Sequence, residues 1–268
     1  MPSASYKMTT VLYSLFSGSG GNATYLRHGN TEILIDMGMS ARAICTALTE
    51  IHSAPERISA VFITHEHIDH VRGLDVFCKK YAVPVHIVRK SADNLPYCPG
   101  KALSDCFSLH ETLFEETVGN IAVRSFATSH DSASAVGYRF DFLGTGVSAA
   151  LATDTGEVTA GMREEMTGAR ACVLECNHDV GMLQCGPYPY PLKRRILSRT
   201  GHLSGEDCAA FAAELEASGT KHLLLAHLSK ENNTPSLAEK TVSSALTGGM
   251  AVRVAEPDRP VLLWEEEL

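Results

Sequence analysis

No stretch of this 268-residue chain stays apolar over the roughly 20 residues that a bilayer-crossing helix needs. None of signal-peptide type precedes Val11 either, because Met1–Thr10 is polar with Lys7 as its one cation. The eight cysteines (45, 78, 98, 106, 172, 176, 185 and 208) form no CxxC pair, which fits reduced thiols better than a secreted disulfide framework. There is no Pro- or Ser-rich linker and no low-complexity tract. With 44% hydrophobic and 20% charged residues the composition is that of an ordinary globular protein. These absences point to one domain over residues 1–268, cytoplasmic and not a membrane protein.

Positive charge is also scarce. The formal charge of −8 argues against generic binding to nucleic acid, which rests on Lys and Arg. Lys193, Arg194, Arg195 and Arg199 nevertheless fall within seven residues with no acid among them. Such a run is either a local cationic patch or a solvated helix face.

Short apolar runs read as strands at Val11–Leu15, Glu32–Asp36, Ala60–Ile63, Val83–Val88, Ile121–Ala127, Gly137–Phe142, Val147–Ala152, Ala171–Leu174, His222–Ala226, Ala251–Val254 and Val261–Trp264. Helical spacing appears over Ala41–Ile51, His70–Tyr81, Ser204–Ala217 and Ser236–Leu246, the third opened by Ser204 with Asp207 three residues on. A hairpin is expected through Gly144-Thr145-Gly146. The order suits an α/β fold of two sheets with helices outside. Gly186–Pro191, with prolines at 187, 189 and 191, reads as an ordered loop or polyproline stretch that excludes helix.

The densest chemistry is Thr64-His65-Glu66-His67-Ile68-Asp69-His70, placed after an apolar strand. Three imidazoles and two carboxylates in six residues are more donor capacity than a core tolerates unpaired. By contrast His28, His52, His86, His110 and His222 stand alone and read as structural residues.

This HxHxDH segment resembles the hallmark of the metallo-β-lactamase superfamily. The likeness extends along the chain through Asp36, His130, Asp154 and His227, each at the end of an expected strand. The resemblance implies an αββα sandwich of two mixed β-sheets flanked by helices. It further implies that His65, His67 and His130 bind one divalent ion and Asp69, His70 and His227 another. Asp154 would bridge the two, and Asp36 would orient the His-rich loop from behind. Nitrogen and carboxylate donors suit zinc best, with manganese or iron compatible. Two ions roughly 3.5–4 Å apart would hold a bridging hydroxide as nucleophile, so the implied activity is hydrolysis.

The bond cut is read from the second half. Glu175 ends a strand, His202 lies in Gly-His-x-Ser before a helix, and His227 follows Leu-Leu-Ala. These resemble the later motifs of the superfamily's nucleases, ribonuclease Z and the β-CASP group. The likeness implies that Asp69, Glu175 and His202 are catalytic, with Glu175 holding His202 as general acid or phosphate contact. Only 26 residues separate Glu175 and His202, too few for an inserted domain of at least ~50 residues. The stretches 15–24, 175–178, 186–195 and 227–233 resemble the YycJ/WalJ-type subgroup, which implies a DNA exonuclease acting from the 5′ end, DNA in preference to RNA. The loop Ser17-Gly-Ser-Gly-Gly-Asn22 is either a tight turn or a phosphate nest using Ser19 and Asn22. Lys193 and Arg194 are expected to grip substrate, with Tyr188 and Tyr190 either stacking on bases or packing the loop. The competing expectation is a small-molecule hydrolase of a thioester or cyclic phosphodiester, favoured by the acidic charge.

Overall fold

The computed structural model describes residues 8–268; the polar segment 1–7, including Lys7, lies outside the described residues. Among the described residues there are fourteen strands: β1 (Thr9–Phe16), β2 (Ala23–His28), β3 (Thr31–Ile35), β4 (Ile58–Phe62), β5 (Val85–Val88), β6 (Phe107–His110), β7 (Glu115–Val118), β8 (Ile121–Ala127), β9 (Val136–Phe142), β10 (Val147–Ala152), β11 (Ala171–Glu175), β12 (His222–Ala226), β13 (Ala251–Val254) and β14 (Val261–Glu267). They form two seven-stranded sheets, ordered β14-β1-β2-β3-β4-β5-β6 and β13-β12-β11-β10-β9-β8-β7. Each is mixed: β1 to β3 pair antiparallel and β3 to β6 parallel, while β7 to β10 pair antiparallel and β10 to β13 parallel.

Side-chain alternation builds the layers. On β12 the buried Leu224 faces the inter-sheet core with Phe62, Tyr138 and Trp264, while Leu223 and Leu225 face the outer helices Ala160–Met166 and Gly205–Ala217. The first sheet is covered outside by the helices Ala41–Glu50 and Leu74–Tyr81, through Ile44, Leu48, Leu74 and Phe77. This is the αββα sandwich, and each fully buried leucine contributes roughly 1.5–3 kcal/mol. Among the described residues no helix is long and apolar enough to cross a membrane.

Three expectations need correction. β2, β6 and β7 were not expected; β6 and β7 lie at sheet edges, where half-exposed polar residues blur the alternation. The helix expected over 70–81 is two, Ile68–Val71 and Leu74–Tyr81. They divide at Gly73, where a Cβ would lie 2.3 Å from the Met39 carbonyl oxygen, so the chain passes backbone against backbone. The proline-rich segment does not exclude helix throughout. Tyr190–Ile196 is helical, because Pro189 caps it and Pro191 occupies the first turn, where its missing N–H has no intrahelical acceptor to lose.

Candidate metal centre and active site

The residues singled out in both halves converge on one rim, where β3, β4, β8, β10, β11 and β12 end. Three of them leave their strands in the left-handed region: Asp36 (φ 63°), Asp154 (φ 55°) and His227 (φ 57°). That conformation costs free energy for any side-chain-bearing residue, though Asp and His tolerate it better than most.

Asp36 ties the His-rich loop down. Its Oδ1 accepts the Thr64 backbone N–H at 2.8 Å and its Oδ2 accepts the Thr64 hydroxyl at 2.8 Å. Oδ2 also lies 2.8 Å from His70 Nδ1. His70 Nε2 is thereby turned inward, to 3.3 Å from Asp154 Oδ2. Gly38 lets the β3 exit pass the loop: a Cβ there would sit 1.6 Å from the Asp69 carbonyl oxygen. On the other side His130 Nδ1 engages the Gly201 carbonyl at 3.0 Å, leaving Nε2 to face His67 Nδ1 at 3.3 Å.

Donor atoms of His65, His67 and His130 lie within 4.8 Å of one another, as do those of Asp69, His70 and His227, and those of His65, His70 and Asp154. His65 Nε2, Asp154 Oδ2 and His227 Nε2 are buried without a hydrogen-bond partner among the described residues. An orphaned lone pair at depth costs about 1–3 kcal/mol, so three in one cluster fit donors to a cation. The electrostatics agree. Burial pushes the Asp154 carboxyl up, yet His227 and His70 outweigh it and hold it well below the usual range. Burial alone would lower His70 and His227, but Asp36 and Asp154 raise the first, and Asp154, Asp69 and Glu175 bring the second up to about 10. Such a field draws positive charge; His65 stays neutral, lowered by burial and by its imidazole neighbours.

Glu175, fully buried, joins this cluster to His202. Its Oε1 lies 2.7 Å from His202 Nδ1 and 2.9 Å from His227 Nδ1, and its Oε2 accepts the Thr155 and Leu203 N–H groups at 2.7 and 3.3 Å. With both oxygens engaged it orients imidazoles and has little capacity left for a metal, although its donor atom falls within 4.8 Å of those of Asp154, His202 and His227. Burial raises the Glu175 carboxyl, but His202 and then His227 bring it down to about 2; reciprocally Glu175 raises His202 against its burial. Ser204 Oγ, as the sequence suggests, caps the following helix by accepting Asp207 N–H at 3.1 Å.

The expected substrate contacts fare differently. Ser19 is exposed at the loop tip. Asn22 is buried beside the centre, its Oδ1 accepting Gly18 N–H at 2.8 Å and its Nδ2 3.0 Å from His70 Nε2. Lys193 Nζ donates to the carbonyls of Gln184 and Gly186 at 2.8 and 2.7 Å. Arg195 pairs with Asp131, and Arg199 with Glu157. Of the four cations only Arg194, exposed and 6.0 Å from the Tyr190 ring, has neither a carbonyl nor an acidic partner among the described residues. Sequence reasoning passed over Thr64, Ser17, whose hydroxyl accepts His227 N–H at 2.8 Å, and Asn177, whose Nδ2 donates to the His227 carbonyl at 2.9 Å. Thr64 directly precedes His65, Ser17 opens the glycine loop and Asn177 lies two residues after Glu175, and these positions were the available signal.

Comparison with known proteins places this geometry. A β-lactamase superfamily domain model matches residues 31–228. Exodeoxyribonuclease YycJ of Bacillus anthracis is 39% identical over 232 residues, 87% of each chain. Exodeoxyribonuclease WalJ of Streptococcus pneumoniae is 39% identical over 235 residues, 87% of this chain and 86% of that one. The crystal structure of the metallo-β-lactamase fold protein YhfI from Bacillus subtilis superposes with a TM-score of 0.73 at 16% identity, covering 97% of this chain and all of that one. The chain therefore belongs to the metallo-β-lactamase superfamily, a hydrolase fold that implies divalent metal, and its relatives include the YycJ/WalJ exodeoxyribonucleases.

Proposed function

We propose that the chain, acting as a single cytoplasmic domain, is a dinuclear metal-dependent phosphodiesterase that degrades DNA from a 5′ end. The observation that carries this reading is the pair of buried Glu175 and half-buried His202, 2.7 Å apart, at the edge of the donor cluster. His65, His67 and His130 would hold one ion, Asp69, His70 and His227 the other, and Asp154 both, with zinc best suited and manganese or iron compatible. When bound, the two ions would supply Lewis-acid activation and neutralise charge on the scissile phosphate.

The chain's own residues do the rest. Asp36 fixes His70, and Glu175 fixes His227, so each imidazole presents a defined nitrogen. His202 gives its Nδ1 to Glu175 and has no hydrogen bond among the described residues at Nε2, the atom that would carry a proton to the leaving alkoxide. Burial lowers the His202 pKa, but Glu175 outweighs it and raises it, which favours the protonated form that a general acid needs. A phosphodiester needs such a donor because an alkoxide leaves poorly. Asp69, beside His227, completes the proposed catalytic set.

The 39% identity to two proteins named exodeoxyribonucleases supports DNA as substrate. Ser19, Asn22 and Arg194 would contact the strand. One observation favours a second reading, a small-molecule hydrolase: the chain uses Lys193, Arg195 and Arg199 for its own contacts, which leaves little free positive surface for a polyanion. The test is incubation of metal-loaded protein with end-labelled duplex DNA, single strands and generic phosphodiesters or thioesters. Mononucleotide release from the 5′ end is expected; turnover of the small substrates alone would overturn DNA as substrate.

A further inference from the structure

On another side of the sandwich, where β6 ends the first sheet and β7 ends the second, two histidines that look solitary in sequence meet. His86 Nδ1 lies 3.0 Å from His110 Nε2, and Glu116 completes a trio whose donor atoms fall within 4.8 Å of one another. The three come from β5, β6 and β7, so both sheet edges contribute. The rings are held in a stack: Phe62 on His86 with centroids 4.5 Å apart, His86 on His110 at 5.2 Å, and His110 on Phe114 at 3.9 Å.

We propose that His86, His110 and Glu116 form a further metal site, separate from the rim, that takes a zinc-like divalent ion and clamps the two sheet edges together. Two nitrogens of a tetrahedral zinc, each bound at about 2.0–2.1 Å, sit about 3.3 Å apart. The 3.0 Å approach of the imidazoles is near that spacing. Burial and then His110 bring the His86 imidazole down to about 4, so it is neutral at pH 7 with its lone pair available. Binding would replace the N–H to N contact with two N-to-metal bonds. The shared proton moves to the far nitrogen of its ring, the Glu116 carboxylate offsets one positive charge, and water fills the open position. No redox change is involved.

The clamp would bear on the rim through β4. The Ile63 N–H donates to the His86 carbonyl at 2.9 Å, and His65 follows two residues later. Borderline nitrogen and carboxylate donors suit zinc over magnesium or calcium.

The test compares full-length proteins saturated with zinc, desalted, and counted by plasma mass spectrometry. His110→Ala and Glu116→Gln should each retain one ion fewer per chain than wild type, and the zinc-induced rise in Tm should shrink. His52→Ala and His222→Ala, at an exposed and a half-buried histidine away from this trio, should keep the wild-type count. Because only differences from wild type are read, the result does not depend on how many ions the rim holds or what it cuts. Glu116→Gln leaves the aromatic stack intact, so it remains informative if His110→Ala folds poorly. An unchanged ion count and an unchanged zinc response in both variants would overturn the site.

Discussion

Two charged groups lie close together in the second half of the sequence and both suggest phosphate chemistry. They end up in opposite roles. Glu175 and His202 are drawn into a network with His227 and Asp154, where each charge is held by its neighbours. Lys193, Arg195 and Arg199 are spent on nearby carbonyls and carboxylates, and only Arg194 stands free of both among the described residues. Density of charge in sequence therefore says little about availability. What decides is whether the fold brings complementary groups within reach: from the rim for the first pair, from its own scaffold for the second.

The comparison can be broken most severely at the shared anchor. Asp154→Ala should abolish hydrolysis of every substrate and reduce bound metal, read by turnover and metal analysis together. An active variant would remove Asp154 from the centre. His202→Ala should keep its metal yet lose turnover of DNA by ~10²–10⁴-fold, the scale of general acid catalysis. Glu175→Gln should lose less, and the double variant little more than His202→Ala alone, since the two act as a unit. A nitrophenyl phosphodiester, whose leaving group needs no proton, should be nearly indifferent to His202→Ala. Equal losses on both substrates would make His202 a phosphate contact.

The pair should also leave a mark on stability. The Glu175 carboxyl is brought to about 2 in the fold, from 4.5 for an ordinary glutamate. The folded state thus binds fewer protons than the unfolded one in that window. Its contribution is present above pH 4.5 and fades as pH falls toward 2. In metal-free protein the urea midpoint should drop over this range for wild type and more gently for Glu175→Gln; parallel profiles would show that the ion pair adds no stability. The smallest effect belongs to the basic run. Arg194→Ala should shallow the logarithmic salt dependence of DNA binding by about one unit, and Lys193→Ala should leave it unchanged while costing on the order of 0.5–1.5 kcal/mol of stability for its lost carbonyl contacts. If Lys193→Ala lowers the slope as much as Arg194→Ala, Lys193 is available to DNA after all.

Much of the scaffold is legible in the sequence because buried strands carry their own signal. Ile121–Ala127, Val147–Ala152 and His222–Ala226 are strands residue for residue as the apolar runs indicate. The edge strands β6 and β7 are not, since their half-exposed residues lack a pattern. The His-rich loop stands out because its donors are contiguous. The Gly201 carbonyl that orients His130, and the Thr155 and Leu203 amides that hold Glu175, are backbone groups with no residue-type signature. His86 and His110 look solitary because 24 positions separate them and only the parallel pairing of β5 with β6 brings them together.

The left-handed backbone at Asp36, Asp154 and His227 has an evolutionary consequence. Each such residue forgoes roughly 1 kcal/mol or more that glycine would recover at the same place. Selection for robustness alone would drift these three codons toward glycine and erase the rim. Their retention would then need continuous purifying pressure from activity, so a copy of this protein released from its task should decay first where its strands turn.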